Sequence, residues 1–339
     1  MSRNLLPLSL LAALFAGTAV ADVPNVAVDI APVHSLVAHV MEGVGTPALI
    51  VAPGASPHEY SLRPSEAGAL QEADLVFWVS PALTPWLSDA VETLAGDAVV
   101  TTLVDVEGTI RLDVREGALF EAHAHEEDEA VDHGHDDHAH EADHAAEQAE
   151  DKDYAESSAS HDDAHADGAL DPHAWLSPQN AAVWMNAIAA ELSAIDPENA
   201  SIYSANAAAG RSELEALVKE IGGVLEPVRE RNFIVFHDAY QYFEASLDLP
   251  ASGAIAFSDA ADPSPARIAE IQARVAELGI SCVLSEPQFS SRLVETVLDG
   301  TEARSGVLDP LGSDLEPGPT LYPQLIHNLA ATLADCLGQ

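Results

Sequence analysis

Basic residues are scarce in this sequence. Only 13 Lys and Arg stand against 56 Asp and Glu, which leaves a formal net charge of −43. An electrostatic field of that sign repels phosphate backbones and anionic membrane surfaces. We therefore expect no nucleic-acid partner, and a cation is the natural ligand for such a chain.

Long apolar runs are also rare. The run at residues 5–15 follows a start that carries Arg3, and it ends near Ala19 and Ala21, which give the small-x-small pattern of a signal peptidase site. The run is shorter than the roughly 20 residues that a membrane span needs. We predict that residues 1–21 are a cleaved signal peptide, that the protein is exported, and that no other segment crosses a bilayer.

Cysteine occurs only twice, as Cys282 and Cys336. In an exported protein such a pair predicts a disulfide, whereas in the cytosol it would predict free thiols. Two unpaired, buried thiols are the alternative. A closed bond would tie the last predicted helix to a predicted strand earlier in the chain.

The chain of 339 residues, 47% of them hydrophobic, is long enough for two domains with sizeable cores. Short apolar strands alternate with amphipathic helices in both halves, which predicts an α/β fold: two lobes with mostly parallel sheets, joined by one long backbone helix. We place the first lobe at residues 22–178, the linking helices at 179–231 and the second lobe at 232–339. The long helix is predicted to begin at Pro197, with Asp196 as its cap.

Residues 121–167 break this alternation. They hold nine of the 15 histidines, 18 acidic residues and one Lys, and their only large apolar side chains are Val131 and Tyr154. Such a segment cannot offset the entropy of ordering, so we expect a mobile loop inserted at the end of the first lobe. Its His-x-His pairs suit labile metal binding, and a solvated acidic spacer is the alternative.

Three histidines outside that loop lie in contexts typical of ligand sites. His58 and His237 each follow a predicted strand, and ligands bind beyond the carboxyl ends of strands in open α/β sheets. His173 lies in a segment that Pro172 and Trp175 should hold in place. Three imidazoles suit Zn²⁺, and a carboxylate, Glu59 or Asp309, could supply or orient a fourth ligand.

Each histidine alone would be an ordinary hydrogen-bonded residue. His34, His39 and His327 lie within predicted helices and are interpreted as structural or surface residues. The three candidates gain weight from the motifs around them, which occur in order along the chain. These motifs are residues 53–60 (PGASPHEY), 171–178 (DPHAWLSP), 236–244 (FHDAYQYFE), 285–289 (SEPQF) and 308–312 (LDPLG).

Together these motifs resemble those of the cluster A-I metal-binding proteins of bacterial ABC importers, particularly the zinc-binding members. The resemblance implies a periplasmic protein that binds Zn²⁺ in a cleft between two lobes and delivers it to an ABC transporter membrane permease. It assigns His58, His173 and His237 as metal ligands, with Asp309, Glu59 or water in the fourth position. Residues 121–167 also match the His-rich loop of this family, and the late cysteine pair resembles a disulfide of its zinc-binding members. As a hypothesis, the loop concentrates or senses zinc near the cleft.

We accordingly expect a monomeric zinc-binding protein with no catalytic step. Metal affinity should fall as the pH drops through about 6.5, where imidazoles become protonated. An exported zinc hydrolase is the first alternative, since three histidines and an open position also occur in enzymes, but the sequence contains no His-Glu-x-x-His motif. A periplasmic metal buffer that never meets a transporter is the second.

Overall fold

The computed structural model describes residues 23–115, 169–256 and 264–338. The predicted signal peptide, residues 1–21, and the predicted loop, residues 121–167, lie outside the described residues. The described part forms two α/β lobes, each built on a four-stranded sheet, with two long helices between them. This confirms the predicted fold class.

The first lobe contains four strands in the order β2-β1-β3-β4, all parallel. Three helices make the crossovers that parallel strands need. β1 and β3 are buried along their whole length, which explains their continuous apolar sequences. The elements are β1 (Val26–Val28), α1 (Ala31–Val40), β2 (Ala48–Leu49), α2 (Pro64–Gln71), β3 (Leu75–Trp78), α3 (Pro85–Leu94) and β4 (Val99–Thr102).

The second lobe repeats this design with strand order β6-β5-β7-β8, again all parallel. The short strand β6 was not predicted, because its sequence Ala-Ile-Ala carries little strand propensity and gains its place by pairing with β5. The elements are β5 (Phe233–His237), α6 (Gln241–Leu247), β6 (Ala254–Ala256), α7 (Pro265–Glu277), β7 (Cys282–Ser285), α8 (Ser291–Leu298), β8 (Arg304–Val307) and α9 (Leu321–Gly338).

Two helices link the lobes: α4 (Pro178–Ile195) and α5 (Ala200–Leu225). The prediction that α5 begins at Pro197 under an Asp196 cap is wrong by three residues. The Asp196 carboxylate accepts hydrogen bonds from Asn199 and from the Tyr203 hydroxyl, which fixes a turn before the helix starts. With 26 residues, α5 is about 39 Å long.

The last helix, α9, contacts more than its own lobe. It packs against α1, α5 and β8, and the backbone N–H of Tyr322 donates to Ser35 Oγ of α1 at 2.9 Å. The Tyr322 hydroxyl also donates to the carbonyl oxygen of Trp175 at 2.8 Å. One buried apolar cluster therefore runs from the first lobe through α4, α5 and α9 into the second.

Cys282 and Cys336 form a disulfide, with their Cα atoms 5.8 Å apart. The predicted pairing is confirmed, and the alternative of two free thiols is wrong. The bond joins the start of β7 to the last turn of α9. Among the helices in the described ranges, none combines the length and apolar character that a bilayer-spanning helix needs.

Candidate metal centre

The fold brings His58, His173 and His237 to one point. His58 lies in the loop between β2 and α2, His173 just before α4, and His237 at the end of β5. One ring nitrogen from each lies within 4.8 Å of those of the other two. Within the described residues this is the one group of three or more His, Cys, Asp or Glu side chains with metal-binding spacing.

The spacing suits a single ion. The Nε2 atoms of His173 and His237 are 3.4 Å apart. Two imidazoles on a tetrahedral zinc, with bonds of about 2.0 to 2.1 Å, place their nitrogens about 3.4 Å from each other. The rings of His173 and His237 are buried, whereas His58 is half-buried. The group therefore has an inner side formed by the two buried rings and an outer side at His58.

Two buried carboxylates orient the inner imidazoles. Asp171 Oδ1 lies 2.8 Å from His173 Nδ1, and Glu286 Oε1 lies 2.6 Å from His237 Nδ1. An Nδ1–H that donates to a carboxylate leaves Nε2 with a free lone pair for a metal, and makes that nitrogen a better ligand. The pair of carboxylates thus directs both Nε2 atoms toward the same point.

Asp171 is itself held by the backbone, since its Oδ1 also accepts from the N–H of His173 at 2.9 Å. Burial raises the pKa of the Asp171 carboxyl to about 7, although this N–H and the charge of Arg115 act in the opposite direction. Burial thus favours the protonated form of this carboxyl, and a positive charge nearby favours the ionised form.

The His58 loop is fixed by contacts within the first lobe. Trp86 Nε1 donates to the carbonyl oxygen of Pro57 at 2.7 Å. The Tyr60 hydroxyl donates to Glu66 Oε1 at 2.7 Å. These bonds hold the backbone on both sides of His58, so its ring is presented from the first lobe toward the rings of His173 and His237.

Neither predicted carboxylate belongs to the group of converging side chains. Glu59 is exposed. The Asp309 carboxylate accepts from the backbone N–H groups of Leu311 (3.0 Å), Gly312 (3.1 Å) and Ser313 (2.5 Å), so it shapes the loop after β8. Glu59 thus lies at the surface and Asp309 bonds to its own loop, and neither carboxylate is part of the histidine group.

The three histidines line one cavity, which has about 20 Å³ of free space. Its wall is mostly apolar and comes from both lobes and from the segment before α4. Trp175 Nε1 donates to the carbonyl oxygen of Pro310 at 2.8 Å, which ties that segment to the second lobe. The other wall residues are Ser56, Pro57, Trp175, Glu286, Gln288, Phe289, Pro310 and Leu311.

Asp171, Glu286 and Gln288 were not among the residues predicted from the sequence to form the site. Asp171 lies two residues before His173, and Glu286 and Gln288 lie in the SEPQF motif after β7. A carboxylate within reach of a ligand histidine is a common arrangement at metal centres. The contact between Glu286 and His237 could not be read from the sequence, because it depends on the register of β7 beside β5.

Known proteins resemble this chain over nearly its whole length. Residues 26–336 match the family model described as ZnuA, zinc-uptake complex component A, periplasmic. The chain is 45% identical over 326 residues to the high-affinity zinc uptake system protein ZnuA of Brucella suis biovar 1 (strain 1330), covering 96% of this chain and 95% of that protein. It is 40% identical over 337 residues to the ZnuA of Paracoccus denitrificans (strain Pd 1222), covering 98% of each.

A crystal structure of a ZnuA protein has the same fold. The match has a TM-score of 0.71 and 22% sequence identity, and it covers 93% of this chain and 100% of that chain. The two-lobe architecture is therefore shared over nearly the whole length.

Proposed function

This chain belongs to the ZnuA family of periplasmic zinc-uptake components, and we propose that it holds one Zn²⁺ ion through the imidazoles of His58, His173 and His237. Membership of the family makes it a solute-binding protein that binds zinc in the periplasm and serves an ABC transporter. The observation that carries the proposed ligand set is the convergence of three imidazoles from separate parts of the chain.

The ligand set explains why the cargo would be zinc. Neutral imidazoles suit a borderline ion such as Zn²⁺, whereas calcium and magnesium prefer oxygen ligands. The carboxylates of Asp171 and Glu286 contact the Nδ1 atoms of His173 and His237, on the side of each ring away from Nε2. Their negative charge compensates the charge of the ion without occupying its coordination sphere.

Capture and delivery follow from the position between the lobes. We propose that the linking helix α5 and the continuous apolar cluster limit the lobes to small movements. We further propose that zinc leaves when contact with the permease moves the ligands of one lobe away from those of the other. We also propose that residues 1–21 direct export and are cleaved, and that the protein acts as a monomer without a nucleic-acid partner.

We infer that the chain carries out no catalytic step. The sequence has no His-Glu-x-x-His motif, and the free space beside the histidines is about 20 Å³. An ester or peptide substrate needs a larger opening beside the metal. Zinc-loaded protein that hydrolysed such substrates, with loss of turnover on chelation, would contradict this inference.

The ligand proposal is tested by metal competition on the exported chain. Titration against a chelator of known zinc affinity should show one tight ion in the parent and none after His58→Ala, His173→Ala and His237→Ala are combined. His327→Ala is the matched control, because that ring is half-exposed beside Glu220. A combined variant that kept its tight ion would disprove the ligand set.

A further inference from the structure

We infer that Gln288 accepts a hydrogen bond from a water molecule in the fourth coordination position of the zinc, and so favours water over small anions at that position. This inference rests on the ligand set proposed above. Gln288 lines the cavity that the three histidines share. It lies two residues after Glu286, which contacts His237.

The side chain of Gln288 has a fixed direction. Its Nε2 donates to Ser313 Oγ at 3.1 Å. Ser313 is held in turn by Asp309, through its backbone N–H at 2.5 Å and its hydroxyl at 3.3 Å. Since the nitrogen end of the amide is engaged by the loop after β8, the oxygen end cannot turn freely.

That oxygen lacks a donor. Gln288 Oε1 is buried, and no residue in the described ranges donates a hydrogen bond to it. A buried acceptor without a donor is unfavourable. The neighbouring imidazoles of His173 and His237 are engaged elsewhere, because their Nδ1 atoms face Asp171 and Glu286 while their Nε2 atoms face each other. A metal ion with a bound water would supply the missing donor.

A zinc ion on three histidines brings such a donor. Tetrahedral coordination leaves one position open, and a water bound there has two O–H groups to donate. The carboxylates of Glu59 and Asp309 do not belong to the converging group. The free space of about 20 Å³ is enough for one water, which needs about 10 to 15 Å³.

The same geometry discriminates between occupants. Water donates to an amide oxygen, whereas azide or chloride has only lone pairs to present to it. An anion in the fourth position would therefore meet repulsion from Gln288 Oε1 and leave that oxygen without a donor. Removal of the acceptor should make anions better competitors.

The test uses the mature chain loaded with Co²⁺, whose visible spectrum reports the fourth ligand, and a titration with azide. In Gln288→Met, which keeps the length of the side chain and loses the acceptor, azide should bind about ten-fold more tightly than in the parent. Gln288→Glu retains an acceptor and should bind azide no more tightly than the parent. Gln272→Met, on α7 in the second lobe, is the matched control and should behave as the parent.

Ser313→Ala frees the amide without changing Gln288 and should shift azide affinity in the same direction by a smaller factor. The thermal unfolding of each metal-free variant verifies that it is folded. Equal azide affinity in the parent and in Gln288→Met would overturn the inference, and so would a cobalt spectrum that azide changes in neither. If tight metal binding instead survives loss of the three histidines, the ligand set itself fails, so the two failures are distinguishable.

Discussion

At the residue scale, the site depends on two carboxylates as well as on three imidazoles. Asp171 and Glu286 fix the rings of His173 and His237 through their Nδ1 atoms, and the two Nε2 atoms lie 3.4 Å apart. Such preorganisation reduces the entropy that binding would otherwise cost. The affinity for zinc should therefore depend on residues that never touch it.

Glu286→Gln tests this dependence. The variant keeps an oxygen near His237 Nδ1 but loses the negative charge that strengthens the ligand, so zinc affinity should fall by about ten-fold. Chelator competition measures the change. Glu302→Gln, an exposed position in the same lobe, is the control. An affinity equal to that of the parent would show that Glu286 has no such role.

Asp29 supplies a separate, pH-dependent contribution to stability. It is buried at the end of β1, where its carboxyl accepts from the N–H groups of Ile30 and Val79. Burial raises its pKa from 3.8 to about 7, against these hydrogen bonds. The folded chain thus holds this proton more tightly than the unfolded chain does.

The direction of the pH dependence follows from this difference in proton binding between the folded and the unfolded chain. Asp29 should contribute stability that is complete below about pH 4 and lost as the pH rises through about 7. In Asp29→Asn the metal-free protein should lose part of this slope between pH 4 and 7, measured by urea unfolding. Asp171, whose pKa is also raised to about 7, keeps its own part. An unchanged slope in the variant would contradict the assignment.

At the element scale, the structure shows how a long insertion is accommodated. Asp113 and Leu170 form an antiparallel bridge, and the N–H of Val114 donates to the carbonyl oxygen of Ala169 at 2.7 Å. The N–H of Asp171 donates to the carbonyl oxygen of Leu112 at 2.8 Å. The two ends of the insertion are therefore adjacent, so a short connection can replace it.

Deletion of residues 121–167 should spare the tight zinc ion and remove weakly bound ones. The His-x-His pairs lie in the deleted segment, whereas His58, His173 and His237 remain. Calorimetric titration with Zn²⁺ measures both classes of site. An insertion of equal length with its histidines changed to Asn separates imidazole binding from the effect of charge. Retention of every weak site in the deletion variant would support the acidic-spacer interpretation.

Most elements could be predicted from the sequence because their apolar spacing is local. The helix α7, from Pro265 to Glu277, is an example, because its buried Ile268, Ile271 and Val275 keep the three-and-four spacing of an amphipathic helix. The failures have tertiary causes. β6 is a strand because β5 lies beside it, and α5 starts three residues late because Asp196 bonds to Asn199 and Tyr203.

At the scale of the whole molecule, Arg115 joins the end of the first lobe to the second. Its guanidinium contacts Asp238 next to His237, and it donates to Glu244 Oε2 of α6 at 2.7 Å. All three side chains are largely buried. The Arg115 guanidinium therefore holds the segment before the insertion against the lobe that carries His237.

Arg115→Met should destabilise the protein by about 3 to 5 kcal/mol, because two buried carboxylates then face each other without a cation. Urea unfolding measures the loss, and adding Asp238→Asn and Glu244→Gln should recover part of it. Arg111→Met is the matched control: its pair with Asp105 is exposed, so the loss should stay below about 1 kcal/mol. Equal losses in the two Arg variants would contradict a stabilising role for the buried ion pairs of Arg115 with Asp238 and Glu244.

The sequence by itself determined the α/β class, the acidic charge, the cysteine pairing and the three candidate histidines, because these follow from local patterns, composition and motifs. Only the tertiary structure decided which side chains meet. His173 and His237 are separated by 64 positions and Glu286 by a further 49, yet His237 contacts both. The register of β7 beside β5 brings Glu286 to His237, whereas His173 comes from the segment before α4. Gln288 and Arg115 likewise find their partners on distant segments, which only packing brings near. Asp309 instead bonds to the residues that directly follow it.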